Sequence, residues 1–141
     1  MKIDSFQDLD VWNVAMDTTE KLYRIISMLP ATERFELASQ MRRAAVSVPS
    51  NVAEGHATGL QRRYLYHARV ALGSVGELTT CIELCRRFKY ISDAEAEKMQ
   101  KDLARTRQLL HGVLRSLLAK IATQAVRTGL AVIGFWSLFG T

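Results

Sequence analysis

The stretch Arg42–Gly55, RRAAVSVPSNVAEG, gathers an unusual set of polar side chains into a segment that otherwise reads as a helix. On a wheel of about 100° per residue, Gln40, Arg43, Ser47, Asn51 and Glu54 fall within one sector of about 80°, and the apolar stripe is centred about 110° away. The polar line therefore lies beside the core. It predicts a seam against a neighbouring helix or another subunit, where half-buried polar groups need partners. Glu77 is the expected partner of Arg43. Pro49 removes one backbone hydrogen bond and predicts a kink; Ser47 and Asn51 are placed to satisfy the carbonyl that this leaves unpaired.

Catalysis would ask more of these residues. A serine nucleophile needs a base within reach, and His56, His67 and His111 are scattered, reading as exposed or helix-capping side chains. Glu54 and Glu77 could form an acid/base pair, but structural hydrogen bonding is the simpler use of both. The chain has no glycine-rich phosphate loop and no metal-ligand run. Cys81 and Cys85 sit four apart in an apolar run, a spacing that suits packing and makes pairing with each other awkward; no histidine completes a zinc set. The expectation is a protein without cofactor, metal or enzymatic activity, with reduced buried thiols as in the cytosol.

Phosphate binding is the other chemistry on offer. Residues 1–40 carry four basic and seven acidic side chains, residues 41–141 fifteen and seven, so the parts net −3 and +8 within an overall +5. No carboxylate side chain follows Asp102. A basic body of this kind suits a polyanion or an anionic membrane surface, although an Arg-rich soluble surface has the same composition. Arg42, Arg62, Arg63, Arg69, Arg86, Arg87 and Lys89 are the candidate nucleic-acid contacts, able to neutralise phosphates but offering little base readout. Tyr64 and Tyr66, beside Arg62–Arg63, can stack on unpaired bases, or one of them can pack in the core.

Four helical patterns must position these groups. Over 8–29, Leu9, Trp12, Met16, Thr19, Tyr23 and Ile26 repeat at steps of three and four, widened by Leu22, Ile25 and Leu29, and Pro30 stops the helix. Thr32 is a plausible N-cap for the second pattern, whose stripe is Leu37, Met41, Ala44, Val48 and Val52 and whose stop is Gly55. The third, about 60–89, carries Leu65, Ala68, Leu72, Val75, Thr79 and Ile82, flanked by Leu78, Cys81 and Cys85. Gly73 and Gly76 inside it cost about 1 kcal/mol each relative to alanine and suggest a close helix approach. Ser92 and Glu95 form a capping box for the fourth, lined by Met99, Leu103, Leu110, Val113, Leu117 and Ile121. Four long helices with short joints predict an all-α, antiparallel up-down-up-down bundle over residues 1–122. Residues 123–141 form an apolar extension. Its uncharged part from Thr128 is shorter than the roughly 20 residues of a spanning helix, so it is not read as transmembrane and no membrane partner is expected of the bundle; for the tail itself, docking on the bundle, burial in an oligomer and a position at a membrane surface all stay open, as does an extension from an altered reading frame. The acidic N-terminus, MKIDSFQDLD, lacks the apolar run of a signal peptide, which predicts a cytoplasmic location.

The blocks FQDLDVWNVAMDTTEKLYRI, LPATERFELASQMRRAAVSVPSNVAEG and YLYHARVALGSVGELTT, in this order and spacing, resemble the bacterial four-helix-bundle proteins encoded in intervening sequences of 23S ribosomal RNA genes. The resemblance covers about Phe6 to Leu118. Its shared polar positions correspond to Gln40, Arg43, Ser47, Asn51, Glu54, Gly55, Gly73, Ser74 and Glu77. Related accessory variability proteins of diversity-generating retroelements assemble as ring-like pentamers and bind nucleic acid and a reverse transcriptase. The resemblance therefore implies the bundle, a homo-oligomer such as the pentamer, and RNA, DNA or a reverse transcriptase as partners. Two departures stand out: HATGLQRR replaces the usual basic, serine-containing loop, with Leu60 at a position commonly small and polar, and nothing in the resemblance reaches the tail beyond about Ala122.

Overall fold

The computed structural model describes the backbone of residues 4–139 and the side chains of residues 4–129. Four helices follow one another: α1 (Asp10–Ile26), α2 (Leu37–Ala57), α3 (Gln61–Arg87) and α4 (Asp93–Phe139), with single 3-10 turns at Phe6–Asp8 and Ala31–Glu33. Consecutive helices pack together and α4 closes back on α1, while the backbones of the diagonal pairs α1–α3 and α2–α4 stay apart, so the four stand at the corners of a square. Each packed pair is antiparallel. Thr18 meets Thr106 and Lys21 meets Asp102 between α1 and α4; Ser47 meets Ser74 and Asn51 meets His67 between α2 and α3.

The core is built from α2's stripe much as its spacing predicts: Leu37, Met41, Ala44, Val48 and Val52 are all buried. Full burial of side chains of this size contributes about 1.5–3 kcal/mol each. On α1 the buried stripe is rotated from the expected one. Val11, Ala15, Thr18, Leu22, Ile25 and Ile26 face inward, while Met16 and Tyr23 are exposed. Two overlapping apolar stripes run along α1. The one carrying the small residues Ala15 and Thr18 lets α4 approach, and there Thr18 and Thr106 hydroxyls meet at 3.2 Å in the core. On α3, Ala68, Val75, Leu78, Cys81, Ile82 and Cys85 are buried as expected, joined by Ala71 and Ser74, whereas Leu65, Leu72 and Thr79 are half-buried. Both cysteines are free thiols. Burial pushes the Cys85 thiol up to about 11, and its Sγ lies 3.8 Å from Met41 Sδ.

The helix ends correct several sequence expectations. Thr32 does not cap α2: the N-cap position is Glu36, which makes no side-chain cap bond, and the first helical N–H is met from further back by Glu33, whose Oε2 accepts from Leu37 N at 3.2 Å while its Oε1 accepts from Tyr90 Oη at 2.9 Å. The longer carboxylate thus ties the α1–α2 and α3–α4 joints together. Gly55 does not stop α2, which continues to Ala57; the chain turns at Gly59, whose φ of 64° is the left-handed conformation open to glycine. α3 ends at Arg87 and is closed by Lys89, also left-handed at φ 59°, with Tyr90 N donating to Cys85 O at 2.9 Å and Lys89 N to Arg86 O at 3.0 Å, a Schellman closure. The Ser92–Glu95 capping box forms as predicted: Ser92 N donates to Glu95 Oε2 at 2.8 Å and Glu95 N to Ser92 Oγ at 3.2 Å.

α2 runs unbroken through Pro49. The carbonyl deprived of its donor is that of Ala45, and it is satisfied from another helix: Thr19 Oγ1 on α1 lies 3.0 Å from Ala45 O and 2.8 Å from its own Ala15 O. Ser47 and Asn51, expected to serve this carbonyl, are engaged elsewhere. α4 passes the end of the bundle near Ile121 without a break and continues to Phe139, about 27 Å further at 1.5 Å per residue. No proline interrupts it. Among the described residues no helix is long and apolar enough to cross a membrane.

Candidate nucleic-acid interface

The antiparallel register of α2 and α3 turns part of the polar line of α2 into a chain of hydrogen bonds. Ser74 Oγ donates to Ser47 Oγ at 2.8 Å. Asn51 Nδ2 donates to Ser47 O at 2.8 Å and lies 3.1 Å from Ser47 Oγ. Because a carbonyl can only accept, this fixes the amide orientation and leaves Asn51 Oδ1 as an acceptor. His67 Nδ1 is 2.9 Å from it, so this ring nitrogen carries a proton. The same Nδ1 lies 3.5 Å from Glu54 Oε2. Asn51 stands between Ser47 and His67, so the imidazole does not reach the serine hydroxyl. The arrangement joins two helices and does not form a nucleophile with its base.

Close approach makes the chain possible. A Cβ on Gly55 would stand 2.5 Å from Tyr64 Cδ2, 3.0 Å from His67 Cβ and 3.2 Å from Tyr64 Cα. Tyr64 is therefore packed at the seam; burial pushes its hydroxyl up, and that oxygen, with Gln61 Oε1, has no hydrogen-bond partner. Gly73 and Gly76, expected to mark a close approach, do the opposite. A Cβ at either would meet nothing within 4 Å.

Gln40, Arg43 and Glu77, placed in the same line by the sequence, stay outside the chain and are exposed. The expected Arg43–Glu77 pair does not form; Arg43 Nη1 donates to Ser39 Oγ at 2.7 Å. The register brings positions 43 and 77 to one level, but both side chains point outward, Glu77 standing next to the buried Leu78. His67, expected as an exposed or helix-capping side chain, is half-buried and held by Asn51. The short connection at Thr58–Gly59 is legible in the sequence, and folding α2 against α3 about Gly59 pairs position 51 with 67, the signal that could have found it.

The seven candidate phosphate contacts divide into two groups. Arg62, Arg63 and Arg69 are exposed in the first half of α3, and none of them has an ion-pair partner among the described residues; Arg42, half-buried on α2, has none there either. Arg86 and Arg87 at the other end both hold Glu83: Arg86 Nη2 at 2.8 Å and Arg87 Nε at 2.7 Å from Oε1, with Arg86 Nη1 also 3.3 Å from Asp93 Oδ1. These hydrogen bonds hold the Glu83 carboxyl down at about 2. Lys89 is exposed at the left-handed position that closes α3. Beside the free group, an open groove of about 910 Å³ separates Leu60–Arg63 from Ile121, Gln124 and Thr128 of α4.

This is a compact all-α bundle of four helices whose signature lies in the α2–α3 seam. Residues 7–112 match the model of the 23S rRNA-intervening sequence protein family, and the chain belongs to that family. It is also similar to a crystal structure of a protein of unknown function from the S23 ribosomal protein family of Bacteroides thetaiotaomicron, with a TM-score of 0.69 and 19% identity over 74% of this chain and 95% of that one. At that identity the likeness is one of fold. No curated protein matches the chain significantly.

Proposed function

We propose that the chain is a non-enzymatic, oligomeric bundle protein that binds RNA or DNA through the first half of α3. One observation carries this reading: Arg62, Arg63 and Arg69 are exposed without ion-pair partners, on a helix whose first carboxylate is Glu77. Free guanidiniums release phosphate counterions on binding; paired ones must first give up a carboxylate. Membership of a family named for ribosomal RNA genes is compatible with such a partner. Assembly into a homo-oligomer, such as the ring-like pentamer implied by the resemblance, would multiply a weak contact per subunit. The exposed face carrying Gly73, Gly76 and Glu77, with Arg43 beside it, is the surface we assign to another subunit. Light scattering at micromolar concentration is expected to give a mass several times the monomer, and a clean monomer overturns the oligomer.

Fluorescence anisotropy with labelled RNA and DNA across a salt series tests binding. The wild-type slope of log affinity against log salt is expected to flatten by about 2 when Arg62, Arg63 and Arg69 are replaced by glutamine, at about 0.7 per lost single-strand phosphate contact. The same change at Arg86 and Arg87 is expected to move it much less. No binding at low salt by the assembled protein rejects direct contact, and leaves an adaptor oligomer whose bundle face binds another protein such as a reverse transcriptase.

A further inference from the structure

The two tyrosines beside the free arginines have different fates. Tyr64 is wedged against Gly55, but Tyr66 is 64% exposed. Its ring meets His67 edge to face, with centroids 5.4 Å apart and planes at 78°. His67 is itself held by Asn51, and Asn51 by Ser47. An exposed aromatic ring is thus propped by an imidazole anchored in the α2–α3 seam.

Positions 62, 66 and 69 share one face of α3, within an arc of about 60° at 100° per residue. Arg62 lies about 6 Å along the axis on one side of Tyr66, and Arg69 about 4.5 Å on the other. Glu54 stands on the α2 side, 3.5 Å from His67 Nδ1, and no carboxylate lies on α3 before Glu77.

We propose that Tyr66 is a stacking platform for an unpaired base, with Arg62 and Arg69 holding the phosphates on either side, so that the nucleic acid bound here is single-stranded. The proposal rests on the phosphate-binding reading above and adds the class of strand. A base inside a duplex has both faces covered by its neighbours and offers nothing to a tyrosine ring lying on a helix surface. An unpaired base offers a π-face whatever its identity, so the preference would be for strandedness and only weakly for sequence.

A short RNA carrying 2-aminopurine, used alone and annealed to its complement, separates the possibilities. Wild-type protein is expected to bind the single strand more tightly and to quench the 2-aminopurine. Tyr66→Ala is expected to weaken single-strand binding about 5- to 150-fold and to abolish the quench, the effect of losing one stacked base. Tyr66→Phe keeps both, duplex binding by all three proteins is equal, and the melting temperature is unchanged because the ring is exposed. Single-strand affinity and quenching that survive Tyr66→Ala overturn the platform, as does wild-type binding of duplex as tight as of single strand. Either result leaves the phosphate reading standing if glutamine at Arg62, Arg63 and Arg69 still removes binding. Wild-type protein that binds neither probe at low salt overturns both.

Discussion

The two halves of α3 carry similar letters and put them to opposite uses. Each has an adjacent arginine pair, Arg62–Arg63 and Arg86–Arg87. In the first half the arginines are free and the backbone is fixed: Ser74 and His67 bond to α2, and α2 presents Gly55 to Tyr64 at contact distance. In the second half the arginines are neutralised by Glu83 one turn earlier on the same helix, and Gly76 faces open space. Charge counts along the chain treat the two pairs as equal. A carboxylate three and four residues away decides which pair can meet a phosphate, because i,i+3 and i,i+4 partners lie side by side on a helix.

The largest effect should come from closing the gap that the first half depends on. Gly55→Ala places a methyl 2.5 Å from Tyr64 Cδ2 and 3.2 Å from the Tyr64 backbone, so α2 and α3 must move apart. Overpacking of this kind costs about 1–3 kcal/mol, and the backbone contact puts this site at the upper end. A clear drop in melting temperature, with His67 no longer protected in its NMR signals, is the expected result. A stability equal to wild type would mean that the seam is looser than its geometry.

Asn51→Ala comes next. It leaves the Ser47 carbonyl without its side-chain donor and His67 Nδ1 with only the exposed Glu54 beside it. Removing one member of a part-buried hydrogen-bonded set costs about 1–3 kcal/mol, toward the lower end here because Ser47 O and the imidazole can reach water. Urea melts are expected to shift in midpoint with an unchanged slope. If the seam also steadies Tyr66, single-strand affinity should fall with it.

The glycines of the outer face should respond in the other direction. Gly73→Ala and Gly76→Ala remove backbone freedom at helical positions with room for a methyl, and each is expected to stabilise the isolated bundle by about 0.5–1 kcal/mol. If another subunit packs on this face, the same substitutions lower the assembled mass in light scattering while the bundle itself melts higher. Substitutions that neither raise the melting temperature nor change the mass would break the contrast drawn between Gly55 and these two.

Much of the bundle was legible in the sequence because it rests on periodicity. α2's stripe and the Ser92–Glu95 cap are where their spacing puts them. What was not legible depended on register between helices. α1 carries two overlapping apolar stripes, and only packing against α4 selects the one with Ala15 and Thr18. Gly55 looks like a helix stop along the chain and proves to be a contact surface once Tyr64 lies against it. Ala45 O is rescued by Thr19, a residue far away in sequence and on a different helix. The seam was half visible: Ser47, Asn51 and Glu54 share one side of α2, but His67 and Ser74 complete it only when α3 folds back, and Arg43 and Glu77 turn outward at the same level.

The smallest effect, and the one that sharpens the comparison most directly, is to make the second half of α3 resemble the first. Glu83→Gln removes the charge that holds Arg87 and shares Arg86 with Asp93. Arg87 is then free while Asp93 keeps its hold on Arg86, so the salt dependence of single-strand binding should steepen by about 0.7, the value for one added phosphate contact, with only a modest gain in affinity at low salt. An unchanged slope would show that this end of the helix does not face the strand, whatever its charge. The pH dependence checks the premise independently. Glu83 has its folded-state value lowered to about 2 by the two arginines, from an ordinary carboxylate value near 4.3. Its contribution to stability is therefore fully present above that ordinary value and is lost as pH falls toward 2. Because the partners lie at the surface, with Glu83 half-buried and Arg86 and Arg87 exposed, the contribution is small and screened by salt. Wild type should melt slightly above Glu83→Gln at neutral pH and low salt, with the two curves converging between about pH 4.5 and pH 2. Curves that stay apart at pH 2 would mean that the difference arises from packing of the side chain, and that Arg86 and Arg87 are not held by its charge.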